Sequence, residues 1–282
     1  MVRILADSTC DLSPELVERY GIGIIPLYVH LGKDEYKDGI DITPDELYRW
    51  SDEHKTTPRT AAPGIVDIEE FLKPGKDGTD EFVVFTISSS MSASFNNSRL
   101  AAEGLEMEDR VFVIDSANLS TGIGLLVIRA AELAAQGMSG NEIAAQMEKL
   151  RGSVRASFVV DTLTYLYRGG RCSGLSALFG SALKIHPRIA VVDGAMRPEK
   201  KYRGRLSKCV LEYVRDMEAD LKTAQSDRVF ITHSECDPEI VESVKAYLKG
   251  LDHFNEILET RAGGVVSCHC GPGTLGVLFI AG

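Results

Sequence analysis

The stretch Phe82–Ser98, FVVFTISSSMSASFNNS, decides how this chain is read. It opens as an apolar run (Phe82, Val83, Val84, Phe85, Ile87), the pattern of a strand covered on both faces. It then turns abruptly to hydroxyls and amides: Ser88, Ser89, Ser90, Ser92, Ser94, Asn96, Asn97 and Ser98. Arg99–Glu106 is expected to continue as a helix. In an open α/β sheet, ligands bind beyond the carboxyl ends of strands, where helix N-termini present free N–H groups. A serine cluster at that place offers neutral hydrogen-bond donors to an anionic group. Ser and Asn are also the residues that cap helices and form turns. The stretch alone supports either reading.

Upstream, Val2–Ala6 reads as a short strand ending in Asp7-Ser8-Thr9 and Asp11, so polar residues again follow a strand's carboxyl end. Ser13 caps a helix that has Pro14 at its first position and Glu15 in its first turn. Ile22–Leu31 is expected to be a second strand, with Pro26 marking an edge or a bend. Thr43-Pro44-Asp45-Glu46 is a capping box that opens a helix to about Glu53. Arg59–Gly64 is read as a loop before a short helix over Ile65–Leu72.

Downstream, Arg110–Ile114 is a strand, and Leu119–Gln136 is an Ala- and Leu-rich helix. Gly122 and Gly124 in its first turn lack the third glycine of a dinucleotide fingerprint, and close helix packing explains them. A second capping box, Ser139-Gly140-Asn141-Glu142, opens a helix to about Gly152. Alternation of this kind predicts a mainly parallel sheet flanked by helices. From Arg155 the pattern changes. Ser157–Asp161 is a strand, Thr162–Arg168 a helix broken by Gly169-Gly170, and Ser173–Ile185 a small-residue helix. A hairpin turns at Asp193-Gly194. The basic segment 197–208 carries Arg197, Lys200, Lys201, Arg203, Arg205 and Lys208, and runs into a helix with one apolar stripe. Arg228–Thr232, Asn255–Thr260 and Leu275–Ala281 complete the strands, with a helix to Lys249 after Asp237-Pro238.

The chain has 282 residues, enough for two domains or one large one; the change near Arg155 divides it into 1–154 and 155–282. A net charge of −10 argues against nucleic acid as a partner, since a phosphate backbone needs a basic face. No apolar run approaches the roughly 18 residues of a membrane span. Asp7 arrives too early for a secretory signal, and six scattered cysteines fit reduced thiols, so a cytoplasmic location is expected. Cys268-His269-Cys270, read as a strand, sends neighbouring side chains to opposite faces. No metal and no cofactor is expected.

Taken in order, several segments resemble the DegV family of bacterial fatty acid-binding proteins, the carrier subunits of fatty acid kinase. They are Asp7-Ser8-Thr9-Cys10-Asp11-Leu12, Thr60…Pro63, Ile87-Ser88-Ser89…Met91-Ser92, and Asp115-Ser116…Thr121-Gly122. Asp161-Thr162-Leu163…Gly169-Gly170-Arg171, Lys184-Ile185-His186-Pro187, Asp193-Gly194, Lys201…Arg203 and His269 in HCGPGTLG follow. The resemblance implies an N-terminal, mainly parallel sheet flanked by helices and a C-terminal α/β domain with a mixed sheet. One long-chain fatty acid would lie between them. It implies Thr60, Ser92 and His269 at the carboxylate, and Arg171 and Arg203 facing phosphate or a docked kinase subunit. It also allows transient membrane contact. The chain departs from the family pattern at Ala61-Ala62 (usually Ser-Gln), at Ala93-Ser94 (often Gly-Thr) and at Cys270 (usually Thr).

The residues fit this chemistry. Burying about 16 carbons at ~0.8 kcal/mol per CH₂ supplies on the order of 10 kcal/mol before ordering costs. The buried carboxylate then needs hydrogen bonds, which the Thr60 and Ser92 hydroxyls would give. The chain has no P-loop and no kinase Gly-rich loop, so phosphoryl transfer would belong to a partner. Two other classes remain open on the residues: a serine hydrolase using Ser92, His269 and Asp7 or Asp115, although no G-x-S-x-G elbow is present, and an anion sensor without an acyl ligand.

Overall fold

Apolar strands alternate with capped helices from the first residues onward. The structure, a computed structural model, describes residues 1–174 and 185–282. β1 (Val2–Asp7) and α1 (Pro14–Tyr20) lead to β2 (Gly23–Ile25), β3 (Tyr28–Leu31) and β4 (Asp34–Lys37). α2 (Pro44–His54), β5 (Arg59–Ala61) and α3 (Ile65–Leu72) precede β6 (Glu81–Thr86), α4 (Ser94–Gly104) and β7 (Val111–Asp115). α5 (Thr121–Ala135) and α6 (Gly140–Leu150) run into β8 (Val154–Val159), α7 (Thr164–Gly169), β9 (Ile185–Val192) and β10 (Ala195–Arg203). α8 (Leu206–Asp216), α9 (Glu218–Thr223), β11 (Arg228–Ser234), α10 (Pro238–Gly250), β12 (Glu256–Arg261), α11 (Gly264–Cys270) and β13 (Thr274–Ile280) complete the chain.

The described residues form three sheets. The first is wholly parallel, in the order β2-β1-β6-β7; the second has six strands, β10-β9-β8-β13-β11-β12, and is mixed; the third is a small antiparallel sheet, β4-β3-β5. In the parallel sheet the chain leaves β1 toward β2 and leaves β6 toward β7 on the opposite side. β1 and β6 therefore flank a switch point, and their carboxyl ends open a crevice where α/β proteins bind ligands. Asp7 at the end of β1 joins the two lips by accepting the Ile87 N–H at 2.8 Å.

Helix α5 lies between the two large sheets. Eleven of its residues are buried, from Thr121 to Leu133, as expected for a helix apolar on all sides. It packs on Ile4, Val83 and Phe85 of the parallel sheet and on Ala156, Phe158, Phe230 and Leu278 of the mixed sheet, in one continuous apolar core. Gly122 and Gly124 permit this closeness: a Cβ on Gly122 would stand 2.6 Å from Asn118 Oδ1, and one on Gly124 would stand 2.7 Å from Leu12 Cδ2. Separate apolar clusters cover the outer faces, under α3 and α4 on one side and under α8, α9 and α10 on the other.

Several local expectations need correction. Ile22–Leu31 is two strands in different sheets, because Pro26 removes a ladder donor and Leu27 leaves the parallel sheet, giving its N–H to Ser8 Oγ. Arg59–Ala61, read as loop, pairs with β3 as a strand. The helix that starts in the serine cluster runs from Ser94, with the amides in its first turn, and stops at Gly104 short of Glu106. The basic segment is strand up to Arg203 and helix only from Leu206. Cys268-His269-Cys270 lies on α11, not on a strand, so the side-chain alternation assumed for it does not apply. Most of the small-residue helix expected over Ser173–Ile185 lies outside the described residues, and Ile185 itself begins β9.

Candidate functional site

The crevice above β1 and β6 deepens into a narrow, open-mouthed cavity of about 50 Å³. Its polar lining is Thr60, Ser92, Arg171 and His269; Leu27, Ile87, Met91, Leu119, Met196 and Val266 supply much of the apolar wall. A second, apolar cavity of about 20 Å³ shares the lining residues Leu119, Val266 and Cys270 with it and reaches Phe158 and Leu278 on the mixed sheet. Four of the five residues singled out in the sequence thus meet at one opening. Arg203 does not: it lines a separate shallow cleft with Lys200, Lys201 and Arg215 at the outer edge strand β10.

Each polar residue arrives on a different element. Thr60 sits on β5, in register with Val29 of β3. Ser92 lies in the turn before α4; its N–H donates to Ser88 O at 3.2 Å, and its Oγ accepts the Ser94 N–H at 3.3 Å and pairs with Ser94 Oγ at 2.9 Å. The N–H end of α4, which has no side-chain cap at Ala93, therefore stands behind Ser92. The remaining serines separate from it. Ser88 and Ser90 pair with each other, Ser90 donates to Gly194 O at the hairpin tip, and Ser89 donates to Asp115.

His269, on α11, pairs its Nε2 with Thr60 Oγ1 at 2.8 Å. Its Nδ1 is sealed from solvent and has no hydrogen-bond partner. Burial, with the nearby Arg171 cation adding to it, pushes its pKa down to about 4, so the imidazole is neutral around pH 7. Arg171 turns back to cap α7, donating to Gly169 O at 2.8 Å, while it also lines the cavity. Gly169, which the sequence presents as a helix breaker within a family-like segment and not as a site residue, stands against the ring. A Cβ there would stand 2.3 Å from His269 Nδ1, so only glycine lets α7 come this close to the ring. Leu27 and Met196 gave no signal either, since each sits in a segment that reads as ordinary strand.

The hydrolase arrangement is not assembled. The imidazole is paired with Thr60 rather than Ser92, and no carboxylate orients its Nδ1. Asp7 is bound to Thr9 and Ile87, and Asp115 to Ser89 and Ala117. Among the described residues, no group of three or more His, Cys, Asp or Glu side chains is placed to hold a metal ion. No helix among them is long and apolar enough to cross a membrane.

The family model described as an uncharacterised protein family, DegV, matches residues 1–282. The chain belongs to the DegV family. A relative named fatty acid-binding protein, from Thermotoga maritima, is 30% identical over 281 residues, covering 98% of this chain and 96% of the relative. The fatty acid-binding DegV family protein of Thermus thermophilus superposes with a TM-score of 0.91 at 29% identity, over 99% of each chain. The stearic acid-binding protein of Eubacterium ventriosum superposes at 0.85 and 27% identity, over 100% of this chain and 98% of that one. The DegV fold, a parallel sheet flanked by helices joined to a mixed-sheet α/β half, is therefore that of this chain.

Proposed function

We propose that this chain binds a long-chain fatty acid between its two large sheets, a division falling near residue 154, and presents the carboxylate to a separate kinase subunit. One observation carries the reading: a small set of neutral polar groups, Thr60, Ser92 and His269, stands at an opening whose apolar wall, at Leu119 and Val266, also lines a second apolar cavity. The tail supplies affinity at ~0.8 kcal/mol per methylene buried, and the polar groups set orientation. The imidazole has a defined part in this. With Nδ1 enclosed and unpartnered, the favoured arrangement has Nε2–H donating to Thr60 Oγ1. The Thr60 hydroxyl hydrogen is then free to donate to a carboxylate, in a bond to a charged group of roughly 1.5–3 kcal/mol. A neutral clamp leaves the carboxylate nucleophilic, which a direct salt bridge would not.

The carboxylate oxygen would attack the γ-phosphorus of ATP held by the partner, with ADP leaving and an acyl phosphate forming. Arg171 at the rim would offset charge on the incoming phosphate. Arg203 and its neighbours on β10 would dock the partner, so Arg203→Ala should spare fatty acid binding and impair phosphorylation. Equal loss of both would assign Arg203 to the ligand or the fold. On this reading the chain is a carrier with no chemistry of its own. Mass spectrometry of protein extracted in organic solvent tests it: co-purified fatty acid, lost on Ser92→Ala or Thr60→Ala, is the expected result. An empty wild-type protein that takes up no palmitate, or ester turnover abolished by Ser92→Ala, would overturn it.

A further inference from the structure

Helix α11 brings His269 to the cavity, and its own sequence explains neither its formation nor its aim. It is seven residues long, begins with Gly263-Gly264, and has no side-chain cap of its own. Two distant carboxylates take the place of a cap. Asp11 Oδ1 accepts the Gly263 N–H at 2.8 Å, and Asp38 Oδ1 accepts the Gly264 N–H at 2.7 Å. Both acids are buried, and each is held by a hydroxyl: Ser120 to Asp11 at 2.5 Å and Ser8 to Asp38 at 2.8 Å. Ser8 Oγ in turn accepts the N–H of Leu27, a residue of the cavity wall. The two glycines make the approach feasible, since a Cβ on Gly264 would stand 2.8 Å from Asp38 Oδ1 and one on Gly263 3.2 Å from Asp11 Oδ1.

We propose that Asp11 and Asp38 are positioning residues, which hold α11 from its amino end and so set His269 against Thr60 at the cavity. The consequence for a fatty acid rests on the function proposed above; the placement of the ring does not. Neither acid lines the cavity, and neither reaches His269. Their effect passes through the helix: a carboxyl oxygen, charged or neutral, supplies an acceptor to an orphan N–H at its amino end. Buried carboxylates are costly, and no ion pair with a cation offsets the burial of either one among the described residues. Such a pair would not stand there for stability alone, when an ordinary Ser or Thr cap would serve.

Two readouts on the full chain test this. The first is the titration of the His269 ring followed by NMR in unloaded protein. In Asp38→Ala the ring should become hydrated and its midpoint should rise toward the ordinary histidine value, while Asp38→Asn, which keeps an acceptor for Gly264, should restore the wild-type midpoint. The second is palmitate affinity, expected to weaken about tenfold in Asp38→Ala and less than threefold in Asp38→Asn. Gly264→Ala, which pushes Asp38 away, is the second route should Asp38→Ala fail to fold, and it should reproduce both effects. A merely structural role would lower Tm and leave midpoint and affinity unchanged below it, which would overturn the proposal. A displaced ring midpoint in a protein that binds no palmitate even as wild type would leave the positioning role standing and overturn the fatty-acid reading instead.

Discussion

Gly169→Ala adds one methyl group at the last residue of α7 and tests the geometry of the site directly. The added carbon would lie 2.3 Å from His269 Nδ1, 3.2 Å from Cε1 and 3.3 Å from Cγ. Ordinary contact begins near 3.4 Å, so the ring must recede by about 1 Å. Nε2 points to the opposite side of the imidazole from Nδ1, so the recoil drives the ring against Thr60, and the 2.8 Å pair must be compressed or swung out of line and lost. Overpacking costs about 1–3 kcal/mol, the broken bond about 1 more, and the better helix propensity of Ala returns at most about 1. The net loss is about 1–4 kcal/mol, or several degrees in Tm at roughly 2–4 °C per kcal/mol. Gly170→Ala is the control: its left-handed φ of +66° carries a strain of about 1–2 kcal/mol, but a Cβ there meets nothing within 4 Å. Thermal denaturation and palmitate binding should therefore diverge. Gly170→Ala should lose stability and keep affinity, whereas Gly169→Ala should lose both. An unchanged Tm and unchanged affinity in Gly169→Ala would refute the close approach of α7 to the ring.

Other outcomes follow from groups already described. Burial raises Asp7 to about 6 and Asp11 to about 8, with Asp38 adding to both, while the Cys10 and Cys270 thiols beside Asp11 stay protonated. The folded chain then holds protons that the unfolded chain releases, so this contribution to stability falls as pH rises from about 4 to 8; Asp11→Asn should flatten that slope in denaturant midpoints. His269 works in the opposite direction. Its folded pKa of about 4 lies below the ordinary 6.5, so stability falls as pH drops through that window, and His269→Gln should abolish this part of the acid limb. Leu126→Ala, at a fully buried position on α5, should cost about 2–5 kcal/mol in urea unfolding.

What the sequence disclosed depended on how local the cause was. Both capping boxes and the Ser13 cap form where they were read, because a cap is settled within four residues. The turn at Asp193-Gly194 is also local: both residues take positive φ, as a tight hairpin requires. Pro26 is legible as an edge or a bend, but the move to a different sheet after it and the strand at Arg59–Ala61 are not, since each depends on a small sheet assembled from three separate segments. Helix α11 was illegible for the same reason, as its amino-end acceptors lie more than 200 residues upstream. The candidate site is the extreme case. Thr60 and His269 are 209 residues apart, and no spacing rule joins them; the family resemblance named them together, and the fold brings them into contact. Within the serine run, only Ser92 faces the cavity, a distinction that side-chain chemistry alone does not draw.

The burial of α5 on both sides bears on how the molecule can be divided. A cut at 154/155 separates the parallel sheet from the mixed one in sequence, yet it splits a shared core instead of passing between two. The fragment 1–154 would keep α5 and lose its cover from Ala156, Phe158, Phe230 and Leu278, leaving one flank of a fifteen-residue apolar helix in water. The complementary fragment would show the matching bare face of its sheet. Neither half should be soluble when expressed separately, and mixing the two should recover folded material that neither yields by itself.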